Sequence, residues 1–237
     1  MSDVPPGFEI RPLDTVEEVF AASALLDEVW GDRGGMPPNL LRALAHSGNY
    51  AVGLYDTSGD AVRMVGVSVA FFAAPAARSM HSHITGILAP YRSQGLGRLL
   101  KQHQRAWAFA RDVGHITWTF DPLVARNAHV NLRMLGARVT EYLVDQYGPM
   151  DDLVNRGDES DRLMVSWALA APASVPAERE VVTAVAVPHD IETLRRTDPA
   201  EALEWRYRVR DAFGGLSEDG FVVIGFDERG YLFGRRP

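Results

Sequence analysis

The 237-residue chain contains no cysteine. Disulfides, thiolate-ligated metals and any covalent route through a cysteinyl thioester are thereby excluded. Lysine is nearly missing too: among 24 basic residues only Lys101 is lysine, a bias we read as coding preference. No basic start followed by an apolar run marks the opening MSDVPPGFEI as a signal peptide. The longest apolar stretch, Met64 to Ala77, is broken by Gly66, Ser68 and Pro75 and is shorter than the roughly 20 residues a membrane helix needs. These absences set the expectation of a cytoplasmic protein that uses no membrane. Acids outnumber bases 31 to 24, a net charge of -7, which argues against a bulk nucleic-acid binder.

What remains is an ordinary globular composition, 46% hydrophobic and 23% charged. The pattern predicts a strand at 8–13, then a helix capped at Asp14 or Thr15 with Glu17 or Glu18 closing a capping box. A short helix follows at 39–47. Strands are expected at 50–55 and 63–72, joined by a turn around Ser58-Gly59, and at 79–88. A helix over 95–113 carries Leu96, Leu99, Leu100, His103, Trp107 and Ala110 on one stripe and leaves Lys101 largely off it, with Gly114 as its C-terminal cap. A strand at 115–120, a helix at 127–135 and strands at 138–146 and 162–169 come next. Ala170 to Pro176 reads as a linker. Beyond it come a strand at 181–187, a helix opening at Asp198-Pro199 and strands at 221–226 and 230–233. The fold class is α/β (α+β): a mixed, mostly antiparallel sheet flanked by helices over 1–170, with a small C-terminal α/β appendage over 177–237.

The chemistry concentrates in Leu88-Ala89-Pro90-Tyr91-Arg92-Ser93-Gln94-Gly95-Leu96-Gly97-Arg98, which leaves a strand and opens a helix. Two glycines two apart let the backbone turn tightly and approach a ligand. The first helical amides lack internal partners, and the dipole adds about half a positive charge, so the stretch is suited to an anion such as phosphate. From His81 to Arg138 eight basic residues face two acidic ones, a local charge of +6 inside a chain of -7. A third Rossmann glycine is missing, because position 100 is leucine, and no Walker Gly-Lys-Ser/Thr is present.

Arg92-Ser93-Gln94-Gly95-Leu96-Gly97 resembles the Arg/Gln-x-x-Gly-x-Gly/Ala signature of the GNAT superfamily of N-acetyltransferases. The element order from Phe8 to about Leu169 is similar to that fold. His81-Ser82-His83, Trp118 to Leu123, Leu135-Gly136-Ala137 and Asp161-Arg162 are similar to a branch of that superfamily with a C-terminal extension. The resemblance implies that acetyl-CoA or another acyl-CoA is the co-substrate, with no metal. It also implies that Leu88, Arg92, Ser93, Gln94, Gly95, Leu96, Gly97 and Arg98 hold the pyrophosphate and thioester, and that Asn127 lies near the pantetheine arm.

Acyl transfer to an amine needs a base for the ammonium and a proton for the departing thiolate. His81 and His83, two apart on a strand, share a face and resemble the His-x-His pair of the serotonin N-acetyltransferase branch. His83 is the expected base, with His81 beside it. Buried structural histidines or half of a metal site are the competing readings. The superfamily's acid is a tyrosine at the position Leu132 occupies, so the acid is missing; Tyr142 and Tyr147 are substitutes, Tyr142 being the one we assign, and the competing readings are that both tyrosines are structural and that a solvated thiolate leaves without an acid. Asp121 reads either as a turn aspartate or as a group that orients a histidine or amine. The leading function is an acyl-CoA-dependent N-acyltransferase acting on a small-molecule or protein amine by direct transfer. Alternatives are other acyl-CoA chemistry, such as decarboxylation, or a non-catalytic binding or regulatory module. The tail has three readings: completing the acceptor pocket, forming a homodimer, or stabilising the domain.

Overall fold

The computed structural model describes residues 4–31, 35–148, 159–170 and 180–236. Only Ala170 of the expected linker lies among them. The chain divides into two compact units, 1–116 and 117–237.

In the first unit, β1 (Phe8–Pro12), β2 (Tyr50–Asp56), β3 (Arg63–Phe72) and β4 (Ser79–Ile87) form an antiparallel meander in sequence order. Helix α1 (Val16–Trp30) starts at Thr15, whose hydroxyl accepts from the Glu18 amide while the Glu18 carboxylate accepts from the Thr15 amide. This is the capping box that the sequence signals. Helix α2 (Pro38–His46) follows. Their apolar faces bury Val19, Ala22, Leu25, Leu26 and Leu41 against Ala51, Val67 and Val69 of the sheet. Helix α3 (Leu96–Phe109) packs against β2 and β4.

Two details of α3 differ from the expectation. The helix ends at Phe109, and the chain turns through Asp112 in the left-handed region (φ 58°), a conformation Asp tolerates. Gly114 does not cap it; its amide donates to the Arg78 carbonyl at 2.8 Å. The fully buried stripe is Leu96, Leu100, Gln104 and Ala108, rotated by about one residue from the apolar one, so polar Gln104 is inside and the edge of Trp107 is not.

The second unit holds the rest of β5 (His115–Phe120), with β6 (Arg138–Leu143) and β7 (Arg162–Ala168) in the order β5-β7-β6, and β6 antiparallel to β7. Helix α4 (Ala125–Ala128) runs into a π-helical turn (His129–Met134), which together occupy the helix expected at 127–135. A second, three-stranded sheet pairs β10 (Gly230–Arg235) with β8 (Thr183–Val185) on one side and β9 (Phe221–Asp227) on the other. Helix α5 (Ile191–Thr197), which the sequence reading lacks, precedes α6 (Pro199–Glu218). It is only seven residues long and Arg-rich, so no apolar stripe announces it.

A buried ion cluster holds these pieces. Asp121, just past β5, accepts from both Nη atoms of Arg206 on α6 (3.0 and 3.1 Å) and from Arg195 on α5 (2.5 Å). Arg206 is fully buried. Burial alone would raise the Asp121 carboxyl, but Arg206 and Arg195 hold it far below the usual carboxylate range. Its turn role is real as well, since Oδ1 accepts from the Leu123 amide at 2.9 Å. Asp121 therefore orients arginines of the C-terminal segment. Asp161 plays a similar part: it accepts from Arg210 on α6 and from the Tyr142 hydroxyl. The Tyr231 hydroxyl, also buried, donates to the Pro122 carbonyl at 2.8 Å.

Removing one partner of such a cluster leaves the others charged and dry, a cost of about 3–5 kcal/mol. Asp121→Ala is expected to lower the free energy of unfolding by about that much in guanidinium titration. Glu204→Ala, which breaks only the exposed Glu204–Arg208 pair on α6, is expected to leave the midpoint unchanged.

Candidate functional site

The loop between β4 and α3 runs over a single 3-10 turn (Ala89–Tyr91) and enters the helix at Gly95. Gly95 lies in the left-handed region (φ 78°), which a side chain would strain. Ser93 is left-handed as well (φ 64°). No side chain caps α3, and no acidic residue stands in its first turn. The amides of Leu96, Gly97 and Arg98 precede the first intrahelical donor, Leu99, which bonds the Gly95 carbonyl at 3.0 Å. A Cβ placed on Gly95 or Gly97 would meet nothing within 4 Å, so the backbone here borders open space.

The remaining loop residues shape this rim. Arg92 is exposed, and its Nε donates to the Ile87 carbonyl at 3.0 Å. Gln94 donates back to the Pro90 carbonyl at 3.2 Å. Arg98 is exposed on the first turn. The Leu88 side chain is buried in the α1–α2 core, and its amide bonds the Val65 carbonyl. The Tyr91 hydroxyl donates to Asp56 at 2.9 Å and its ring meets Phe8 edge-on, so Tyr91 fastens the loop to the β1–β2 end of the sheet. A bare helix start, unobstructed backbone and two exposed guanidiniums form a donor set that fits the pyrophosphate of an acyl-CoA.

Strand β4 carries the next groups. Val69 faces Ile84 and Ala70 faces Ser82, so His83 is an extra residue, a β-bulge. His81 and His83 both pack on Phe71, with ring centroids 5.4 and 5.8 Å from it and 6.5 Å from each other. Phe71 alternates with Val67 and Val69, so the histidines share the α1–α2 side of the sheet. Desolvation lowers both imidazoles. His81, also beside His83 and Lys101, falls to about 4, while His83 falls below its ordinary value and keeps an exposed edge. Both are neutral at pH 7 and can accept a proton.

The opposite side of the sheet, under α3, is polar in its interior. Lys101 Nζ donates to Ser82 Oγ at 2.7 Å. Gln104 donates to Ser68 Oγ at 3.4 Å, and Ser68 bonds Thr85 at 2.9 Å. His103 Nδ1 shares a 2.9 Å hydrogen bond with the Tyr50 hydroxyl. Burial pushes the Lys101 ammonium down to about 7. The sequence pattern leaves Lys101 largely off the apolar stripe, whereas the structure turns its Nζ toward β4.

The loop residues, His81 and His83 all belong to the first unit. Tyr142 and Asn127 belong to the second unit. The Tyr142 hydroxyl is committed to Asp161 at 2.7 Å, its ring packs on Phe213, and burial followed by that carboxylate raises its pKa. Asn127 is exposed on α4. Leu132, where the superfamily's acid is expected, is buried in the π-helical turn. Among the described residues no group of three or more His, Cys, Asp or Glu is arranged to hold a metal. No described helix is long and apolar enough to cross a membrane.

The unfolded chain keeps Lys101 protonated up to its ordinary value of 10.5, whereas the folded chain does so only to about 7. Between those values unfolding takes up a proton, so stability rises with pH by at most about 1.4 kcal/mol per unit from this group. Lys101→Met is expected to be more stable than wild type at pH 7, with the difference shrinking toward pH 10. Denaturant titrations of the two proteins at a series of pH values check this.

No protein-family model matches the chain, and no curated protein sequence does. Solved structures do match. The ribosomal-protein-S18-alanine N-acetyltransferase of Escherichia coli aligns at TM-score 0.56 and 13% identity, over 72% of this chain and 99% of that one. The ribosomal-protein-S5-alanine acetyltransferase of Vibrio fischeri aligns at 0.55 and 15%, over 72% and 97%. Arabidopsis thaliana Naa50, in complex with a bisubstrate analogue of CoA and a peptide, aligns at 0.55 and 14%, over 68% and 99%. At these identities the likeness is one of fold, and the fold of this chain is that of the GNAT acetyltransferases.

Proposed function

We propose that the chain is an acyl-CoA-dependent N-acyltransferase that moves an acetyl or other acyl group directly from CoA to an amine within a ternary complex. The observation that carries this reading is the start of α3: uncapped amides, open space at Gly95 and Gly97, and Arg92 and Arg98 at the rim, directly after a strand that presents two neutral histidines. The fold shared with N-acetyltransferases supports it.

The pyrophosphate sits on the α3 amides, and the guanidiniums of Arg92 and Arg98 neutralise it. His83 takes the proton from the ammonium of the acceptor, directly or through water. It suits this better than His81, whose proton affinity is too low for an efficient base near neutral pH. The free amine attacks the thioester carbonyl, the C–N bond forms, the C–S bond breaks and the electron pair leaves on sulfur. With no cysteine in the chain, the acyl group makes no stop on a protein thiol. The acceptor is a small molecule or a protein amine; the acidic remainder of the chain favours a cationic one.

Calorimetric titration with acetyl-CoA and CoA is expected to show micromolar binding. Gly97→Asp adds a carboxylate at the anion position where the side chain meets no protein atom and the backbone is unstrained. It is expected to abolish binding while leaving the melting temperature unchanged or higher, since an acid in the first turn favours the helix. Thiol release can then be followed with arylalkylamine, polyamine and peptide acceptors. With any acceptor that turns over, His83→Ala is expected to lower kcat by about 100-fold or more. Unchanged kcat would remove the histidine from the mechanism, and absence of CoA binding would sink the acyl-CoA reading.

A further inference from the structure

The second unit carries a cleft of its own, with a volume of about 730 Å³, the size of a small-molecule site. One wall is α4 with the π-helical turn. The other is the start of α5 with the turn between β9 and β10. The floor is apolar: Val187 and Phe226 are half-buried, over the buried Val124 and Ile191. The frame is firm without a ligand. The Tyr231 hydroxyl ties β10 to the Pro122 carbonyl at 2.8 Å, two residues before Val124. Gly230 (φ 103°) lies so close to β8 that a Cβ there would collide with the Val185 carbonyl oxygen.

The two walls differ in charge. Arg126, His129 and Arg133 follow the spacing i, i+3, i+7, so the first wall presents a basic row, and none of its lining residues is acidic. The second wall holds Asp190, Glu192, Asp227 and Glu228, with His189 and Arg229 among them. Part of this charge is already used by the fold. Asp190 caps α5 by accepting from the Thr193 amide at 2.9 Å, and Asp227 accepts from Arg229 at 2.7 Å. Arg126 reaches the second wall, donating to Glu192 at 2.5 Å. Seven residues further along the same wall, no such bond closes the cleft. Arg133 is exposed and makes no hydrogen bond or ion pair among the described residues, yet its charge acts on Asp227 in the wall opposite.

Opposite charges thus face one another across open space with an apolar floor between them. A simple anion at Arg133 would also meet Asp227 and Glu228, and a simple cation at those acids would meet Arg133. A ligand with a carboxylate at one end and an ammonium at the other is repelled by neither wall, and an apolar middle covers the floor.

We propose that this cleft binds a small zwitterion with apolar side chains, a free amino acid or dipeptide, its carboxylate toward Arg133 and His129 and its ammonium toward Asp227 and Glu228. The site goes beyond the acyl-CoA reading and does not draw on it.

Leucine and leucyl-leucine are the probes. Calorimetric titration of the full chain is expected to show one saturable site, and the tighter of the two probes tells which length the cleft takes. N-acetyl-leucyl-leucine lacks the ammonium and leucyl-leucine amide lacks the carboxylate. Each is expected to bind at least about tenfold more weakly than the dipeptide. Arg133→Ala should weaken binding by a similar factor. Ala186→Trp, which places a large ring in the cleft from an exposed position, should abolish it. Both variants should keep the melting temperature of the wild type. A peptide held instead as an amine acceptor beside His83 would keep its affinity in both variants, and that result overturns the cleft. Equal binding of the blocked peptides overturns the zwitterion, and no saturable binding of either probe overturns the site. Each of these failures leaves the acyl-CoA reading standing, since the titrations with acetyl-CoA test that separately. A Trp variant that does not fold spares nothing, because the blocked peptides on the wild type decide the matter alone.

Discussion

Side chains along a strand alternate between two faces, and the proposed chemistry of the first unit hangs on that constraint in β4. Through its bulge at His83, the strand aims two imidazoles at the side lined by Val67, Val69 and Phe71, and the intervening Ser82 at α3. The imidazoles and the Lys101 ammonium are thus on opposite faces of one strand. Shifting the register of β4 by one residue would invert this arrangement. The register is fixed by the apolar pattern of β3, whose Val67 and Val69 must face the α1–α2 core.

The same constraint accounts for how polar the α3 side is allowed to be. A lysine, a glutamine and three hydroxyl residues between a helix and a sheet would weaken an ordinary core. Here each reaches at least one partner: Lys101 with Ser82, Gln104 with Ser68, Ser68 with Thr85. The Gln104 carbonyl oxygen is nevertheless buried without a hydrogen bond. An apolar helix stripe would be more stable.

Much of this was legible in the residues. The capping box at Thr15, the meander and the glycine loop follow from patterns that depend on neighbours a few residues apart. The histidine pair was visible because period two is local. Lys101 was not, because the apolar residues of α3 suggest a stripe through Leu99, His103 and Trp107, while packing buries the row through Leu96, Leu100 and Gln104. Nor could the pattern show that Asp121 meets Arg195 and Arg206, since ion pairs between distant positions leave no periodic trace. Tyr142 shows the same limit: its type suggested a proton donor, and only its contact with Asp161 reveals how its hydroxyl is used.

The Asp121 cluster also bears on the order in which the molecule can be made. The β1–β4 meander joins neighbours in sequence and can pair as it leaves the ribosome. Asp121 must wait: Arg195 emerges 74 residues later and Arg206 85 residues later. Until then the end of β5 keeps an aspartate that burial would penalise, and its surroundings stay wet. The second unit therefore closes only after Arg206 has been synthesised, while the unit bearing the loop and the histidines has long been free to fold.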